Sequence, residues 1–236
     1  LAEDAPRSKD SKGSQRSQAP AGRQPLPRKF VEGHQRQRVV AAVAEIAHER
    51  GVNELTATRI VRGARMSRNT FYELFGSKEE CLRFAFQEAY EYLFGSVRRL
   101  SRTQGPWLER LNAALDAFFA AIVEDPVLAE LCLVHSFGAA AQSEGVDYEA
   151  GVETMIEVIG DGRAAGKAAV GDAYCEPLPQ VEEFLARAIL SLAATRVRRG
   201  EAGRLPAQRG ELVRLAATPF LGAEKAADID VDVELA

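Results

Sequence analysis

Three side chains within residues 67–75 carry groups suited to reading a nucleic-acid duplex: Arg68, Asn69 and Tyr72. A guanidinium presents paired donors that match O6 and N7 of guanine, and a carboxamide pairs with N6 and N7 of adenine, both on the major-groove edge. At 100° per residue, Arg68, Asn69, Tyr72 and Glu73 fall on one arc of a helix, and Thr70, Phe71, Leu74 and Phe75 on the other. The segment therefore reads as a short helix with one polar face and one packing face, of a size that enters the major groove. Upstream, Leu55 to Ala64 reads as a second short helix joined to it by a tight turn, with Thr56 and Ser67 placed as N-caps.

The elements that must hold this pair follow from hydrophobic spacing. Val39, Val43, Ile46 and Ala47 recur at i, i+4, i+7 and i+8, one face of a first helix from Arg36 that Gly51 ends. Ser77 caps a fourth helix over 78–95, with Leu82, Phe86 and Leu93 inside. Pro106 suits the first turn of a fifth, whose stripe of Leu108, Leu111, Leu115, Phe118, Phe119 and Ile122 stops at Asp125-Pro126. Further helices are expected over 127–137, over 148–159 with the glycines at 160, 162 and 166 closing it, over 181–199 and over 209–218. No stretch of useful length alternates with strand period, so the expected fold is all-α with about nine helices. A three-helix helix-turn-helix head over 34–78 precedes a helical body over 79–222. Residues 1–33, rich in Ser, Gln, Pro, Gly and basic side chains, cannot bury enough apolar surface to fold and read as a disordered basic arm. Residues 223–236 form an acidic tail, expected to fray.

Charge separates along the same boundary. Residues 1–78 hold 15 Lys and Arg against 8 Asp and Glu, while residues 79–236 hold 15 against 26. A basic head on an acidic body is the electrostatic footprint of nucleic-acid binding at one end, although a charged tail on an ordinary acidic protein would count the same. No apolar run approaches the ~18 residues of a membrane span, and the N-terminal segment has no apolar core of a secretory signal, which makes the cytoplasm the default. Cys81, Cys132 and Cys175 lie far apart, with no CxxC or Cys/His cluster for a metal; they are expected to be buried thiols, with redox sensing by one of them as the alternative. There is no nucleophile elbow, HExxH, P-loop or dinucleotide fingerprint, and the only histidines are His34, His48 and His135, so neither an enzyme nor a cofactor is expected.

Four runs together are more specific: Ala-Glu-Ile-Ala-x-x-x-Gly from 44, Leu-Thr-x-x-x-Ile over 55–60, Ser-Arg-Asn-Thr-Phe-Tyr-Glu-Leu-Phe over 67–75 and Gly-Ser-Lys-Glu-Glu-Cys-Leu over 76–82. They resemble the N-terminal signature of the tetracycline-repressor family of transcriptional regulators, and Ala-Thr-Pro-Phe-Leu-Gly over 217–222 more loosely resembles an ending found in some members. The resemblance implies a homodimeric, ligand-responsive DNA-binding regulator, commonly a repressor that a small-molecule effector releases from a palindromic operator. It places Arg68, Asn69 and Thr70 at base- and backbone-contacting positions, Tyr72 with its hydroxyl on a phosphate, Thr58 near the backbone, and Lys78 where a cation and a helix N-terminus together suit a phosphate. Thr70 falls on the packing arc, so its contact rests on the resemblance alone; Lys78 is otherwise an ordinary solvated charge. Two residues depart from the family. Arg65 stands where the turn usually has glycine, leaving Gly63 as a substitute, and Glu73 stands where the family is often basic or aromatic, either accepting from a cytosine N4 or pointing away. Arg23, Arg28, Lys29, Arg36 and Arg38 either follow the minor groove or make no contact.

In the family, helices four to seven enclose the effector pocket. Here Trp107, Phe118, Phe119, Cys132, His135, Phe137, Tyr148, Met155 and Tyr174 are the candidates for a mostly apolar lining, with plain core packing as the competing assignment for most, and a satisfied helix histidine for His135. The last two long helices, 180–199 and 208–218, would form a two-fold four-helix interface; finishing a monomeric bundle is the alternative. A helical dimeric interaction protein with a degenerate DNA-binding head is the second functional class, and Arg65 and Glu73 are its grounds.

Overall fold

The computed structural model describes residues 28–137 and 148–230. Among these residues there are eleven α-helices and no strand: α1 (Arg28–Arg50), α2 (Ala57–Gly63), α3 (Arg68–Phe75), α4 (Lys78–Ser101), α5 (Trp107–Glu124), α6 (Pro126–Leu133), α7 (Tyr148–Gly160), α8 (Gly162–Val170), α9 (Val181–Arg198), α10 (Leu205–Leu221) and α11 (Ala223–Ala227). The helix starts are chemically specified. Thr56, Ser67 and Ser77 each accept a backbone N–H two or three residues into their helix, and Asp125 accepts Leu128 N–H at 2.9 Å ahead of Pro126, whose missing N–H costs nothing there.

Several boundaries differ from those the sequence implies. α1 begins at Arg28, eight residues before Arg36, because straight-chain residues such as Arg, Lys, Glu and Gln extend a helix cheaply once the amphipathic part has nucleated it. α4 runs on past Gly95 to Ser101, since Val97 is fully buried and continues its stripe. Gly162 and Gly166 do not close α7; both are buried inside α8. A Cβ on Gly166 would lie 2.4 Å from the Phe220 carbonyl oxygen, and one on Gly162 would lie 2.6 Å from the Trp107 ring, so they let α8 press against α10 and α5. α10 starts four residues earlier than Arg209 and continues through Pro219. Residues 223–230 do not fray: Ala226 is buried, Lys225 Nζ donates to the Ala169 carbonyl at 2.6 Å, and the Arg214 guanidinium holds the Ile229 carbonyl at 3.2 Å. Of the disordered arm expected over 1–33, residues 28–33 instead belong to α1, and residues 1–27, with Arg23, lie outside the described residues.

α4 is the spine. It packs against α1 and α3 on the head side and against α5, α6 and α7 on the body side, while α10 lies on α5 and α8, and α9 on α7 and α6. Phe71, Phe94, Phe118, Phe119 and Phe220 are the largest fully buried side chains, so head and body share a continuous apolar interior. The two also meet through polar groups. His48 on α1 lies with Nδ1 2.5 Å from Glu130 Oε2 on α6, and His135 Nε2 stands 3.7 Å from the other carboxylate oxygen, too far for a hydrogen bond. No helix among the described residues is long and apolar enough to cross a membrane, and none of their His, Cys, Asp and Glu side chains cluster in threes able to hold a metal.

Candidate nucleic-acid interface

The short helix α3 is built to present one side. Phe71 and Phe75 are 0% and 5% exposed, and each such buried aromatic contributes about 1.5–3 kcal/mol of apolar transfer. Their rings lie 5.6 Å apart, and Phe75 meets Phe84 of α4 at 5.5 Å, which fixes the orientation of α3 on the spine. Arg36 completes this anchor: its guanidinium lies over Phe84 at 5.1 Å and over Phe75 at 5.6 Å, and donates to the Leu74 carbonyl at 3.4 Å. With the apolar arc held, Arg68, Asn69, Tyr72 and Glu73 are all exposed, Tyr72 by 45%. The Tyr72 ring rests edge-on against Phe71 at 5.3 Å, so its hydroxyl end extends outward from a fixed base.

Thr70 is half-buried, and its position serves the cap. Its N–H donates to Ser67 Oγ at 3.0 Å, and the two hydroxyls are 2.8 Å apart. Thr58 is exposed on the first turn of α2, which Thr56 caps by accepting Arg59 N–H at 3.3 Å; Arg59 itself folds back to the Glu54 carbonyl at 3.0 Å and pairs with its carboxylate. Lys78, half-buried at the first turn of α4, stands 3.5 Å from the Glu79 carboxylate. A backbone N–H at that helix start and then Lys78 hold the Glu79 carboxyl below its ordinary value.

The turn between α2 and α3 is where the chain departs from expectation. Met66 N–H donates to the Val61 carbonyl at 3.1 Å and Arg65 N–H to the Arg62 carbonyl at 3.2 Å, the paired bonds of a Schellman ending. That ending requires a left-handed residue, and Arg65 supplies it with φ +51°, the one non-glycine at positive φ among the described residues. Gly63 does not substitute for it; it lies inside α2, where a Cβ would be 3.1 Å from the Ala42 side chain, and lets α2 sit close on α1. Arg38 clamps the turn by donating to the carbonyls of both Ala64 and Arg65. Arg36 and Arg38 are thus part of the head's frame and not of a groove-seeking arm. No local pattern announces this, because their hydrogen-bond partners lie 26 to 38 residues away.

Among the effector-pocket candidates whose side chains are described, Phe118 and Phe119 lie on one run of rings, and Trp107 and Tyr174 lie beside Phe220 and α8. Phe118 and Phe119 are buried side by side, with Phe118 5.3 Å from Phe94 in a run of rings that reaches Tyr90, and Cys132 and Met155 are buried as well. Trp107 packs edge-on to Phe220 at 5.4 Å and donates to the Val158 carbonyl at 2.9 Å, and Tyr174 lies against α8 beside Gly166. Eleven residues of α5 separate Trp107 from Phe118, roughly 16 Å of helix. The side chains of Phe137 and Tyr148 lie outside the described residues. His135 Nε2 is buried with no hydrogen-bond partner among the described residues, and burial, reinforced by His48, pushes its pKa down while Glu130 pulls it up. Two open grooves of about 350 and 600 Å³ run along α4, the first against α1 and α6, the second against α5. They share Glu88 and Tyr92, and none of the nine candidates lines either. Burial pushes the thiols of Cys81 and Cys132 up to about 12, whereas Cys175 is exposed and so is not the buried thiol expected of it.

On the outer side of the body, α9 and α10 leave apolar side chains uncovered. Phe184 on α9 is 66% exposed, with Ala188 and Ser191 exposed one and two turns further along that helix, and Leu215 on α10 is 56% exposed.

Residues 39–84 match the profile of the bacterial regulatory proteins, tetR family. No curated protein matches the sequence. Among solved structures, the fold is similar to a TetR-like transcriptional regulator from Rhodococcus sp. RHA1, with 19% identity over 84% of this chain and 100% of that one and a TM-score of 0.59. It is also similar to the FadR regulator from Bacillus subtilis in complex with stearoyl-CoA (15% identity, 78% and 98% covered, TM-score 0.59). A third is AibR in complex with isovaleryl coenzyme A and operator DNA (14% identity, 72% and 96% covered, TM-score 0.52).

Proposed function

We propose that the chain, whose residues 39–84 match the tetR family of bacterial regulatory proteins, is a homodimeric transcriptional regulator of that family whose operator affinity a small-molecule effector lowers. The observation that carries the DNA half is α3 itself: an exposed Arg68, Asn69 and Tyr72 arc on a capped helix whose opposite face is pinned by Phe71 and Phe75. Arg68 and Asn69 read base edges, Tyr72 and Thr58 meet the phosphate backbone, Thr70 sets the first turn, and Lys78 adds a cation at the start of α4. The head is taken over residues 34–78 and the effector and dimer body over 79–222. The uncovered Phe184 and Leu215 on α9 and α10 suit a two-fold interface, which would set two copies of α3 one helical turn of DNA apart, ~34–36 Å.

The effector half draws on two similar structures, which hold acyl coenzyme A ligands. α4 links the parts: it carries the head contacts at Phe84 and the body contacts at Phe94, so an effector that favours one tilt of α4 biases the spacing of the two heads. The test is selection of duplexes from a random library by the full-length protein, followed by a mobility-shift titration of the winner. We expect an inverted repeat, at least a tenfold loss for Arg68→Ala combined with Tyr72→Phe, and release by some member of an acyl coenzyme A and small-carboxylate panel. Failure to enrich any duplex removes the DNA function and favours a helical interaction protein; enrichment without release by any ligand removes the switch alone.

A further inference from the structure

The fold keeps an arginine at a backbone position where glycine would be relaxed, and the guanidinium of that arginine has no side-chain partner among the described residues. Arg65 occupies the left-handed site of the Schellman ending, a conformation that strains a residue bearing a side chain, whereas glycine adopts it freely. Many cations among the described residues are tied down: Arg59, Arg110, Arg163, Arg187 and Arg196, for example, each pair with a carboxylate. Arg62, Arg65 and Arg68 are different. They are spaced three apart across the adjoining ends of α2 and α3, all are exposed, and no side-chain partner is present among the described residues. Arg38 meanwhile takes up the carbonyls of Ala64 and Arg65, so the turn is held from behind and its cation is left to the solvent side.

We propose that Arg65 is a DNA phosphate contact, a cation on the leading edge of the head that clamps the duplex backbone next to the bases addressed by Arg68. The inference rests on the DNA-reading function proposed above and adds a residue to it. Its ligand is the phosphodiester backbone, so its contribution is independent of sequence and is released by salt. The strain of the left-handed arginine is what identifies it. A glycine would remove the strain and the cation together, so stability and affinity must move in opposite directions.

The experiment compares wild type, Arg65→Gly, Arg65→Lys and Arg68→Ala as full-length proteins, on the library-selected duplex and on a random-sequence duplex of equal length, over a salt series, with thermal melts of each. Arg65→Gly is expected to melt about 2 °C or more higher. It should bind both duplexes roughly tenfold more weakly, with the slope of log affinity against log salt shallower by about 0.9 for each protomer bound. Arg65→Lys should keep most of the slope. An Arg65→Gly protein that matches wild type in affinity and slope, while Arg68→Ala is impaired, overturns the contact and leaves the DNA function standing. A loss confined to the selected duplex overturns it too, because that pattern belongs to base reading. A wild-type protein that binds neither duplex sinks the DNA function and this inference with it.

Discussion

Replacing Gly166 by alanine should destabilise the protein even though alanine is the better helix former. The residue sits in the middle of α8, where Gly→Ala ordinarily gains about 1 kcal/mol. Here the new Cβ would lie 2.4 Å from the Phe220 carbonyl oxygen and 2.7 Å from the Tyr174 ring, against ordinary contacts of 3.4–4 Å. Relieving that overlap needs α8 and α10 to separate by roughly 1 Å, and because the nearest obstacle is backbone, no rotamer change absorbs it. Overpacking of this kind costs about 1–3 kcal/mol, and the rigidity of the obstacle puts it in the upper half, leaving a net loss of about 1–2 kcal/mol. In a chain of this length that corresponds to a melting temperature lower by about 2–8 °C. Gly160, at the end of α7 with nothing within 4 Å of its Cβ position, is the internal control: Gly160→Ala should melt at or above wild type. The assay is far-ultraviolet circular dichroism melting of both variants, with sedimentation velocity in parallel, since moving α10 also moves the exposed Leu215 face proposed for the dimer. A Gly166→Ala protein that melts at or above wild type would refute the claim that close approach of α8 and α10 is the reason for this glycine.

Two further outcomes follow from ionisation. With Cys81 and Cys132 buried and pushed up to about 12, only Cys175 should react with iodoacetamide at pH 7.5 in the native protein, giving one adduct per chain by mass spectrometry; a second rapid adduct without denaturant refutes this assignment. Burial raises the Glu182 carboxyl, but the Arg163 guanidinium, 2.9 Å away at its Nη2, and a backbone N–H outweigh it and hold the group below its ordinary value. Its folded pKa being the lower one, the stability it contributes is complete above the unfolded carboxylate value of about 4.3 and is lost as pH falls through the folded value. Melts from pH 6 to 3 should therefore drop on the acid side, and Glu182→Gln should flatten that drop while lowering stability at neutral pH; an unchanged acid limb in the variant refutes the pairing.

Much of the head is legible one residue at a time. The 100° wheel sorts Arg68, Asn69, Tyr72 and Glu73 from Phe71 and Phe75, and the caps at Thr56, Ser67 and Ser77 mark helix starts, because amphipathic periodicity and capping are local chemistry written within four residues. The same locality explains the all-helical class and the ends of α5. It also explains the errors: glycines at 162 and 166 look like breakers to any local reading, and only the approach of Phe220 from more than fifty residues away makes them packing residues. Arg36 and Arg38 look like members of a basic arm until Leu74, Phe75, Phe84 and the Ala64–Arg65 carbonyls come within reach. Apolar side chains at helical spacing specify that Trp107 and Phe118 are turned inward, but not that Trp107 joins Phe220 and Tyr174 beside α8 while Phe118 joins Phe94, since that depends on how α5, α8 and α10 cross. Helix identity and facing are thus set by neighbours along the chain. Which interior a buried face joins, which cations are consumed by the fold and which are left for a partner are decided by contacts between residues far apart in sequence, and these exist only once the helices have packed.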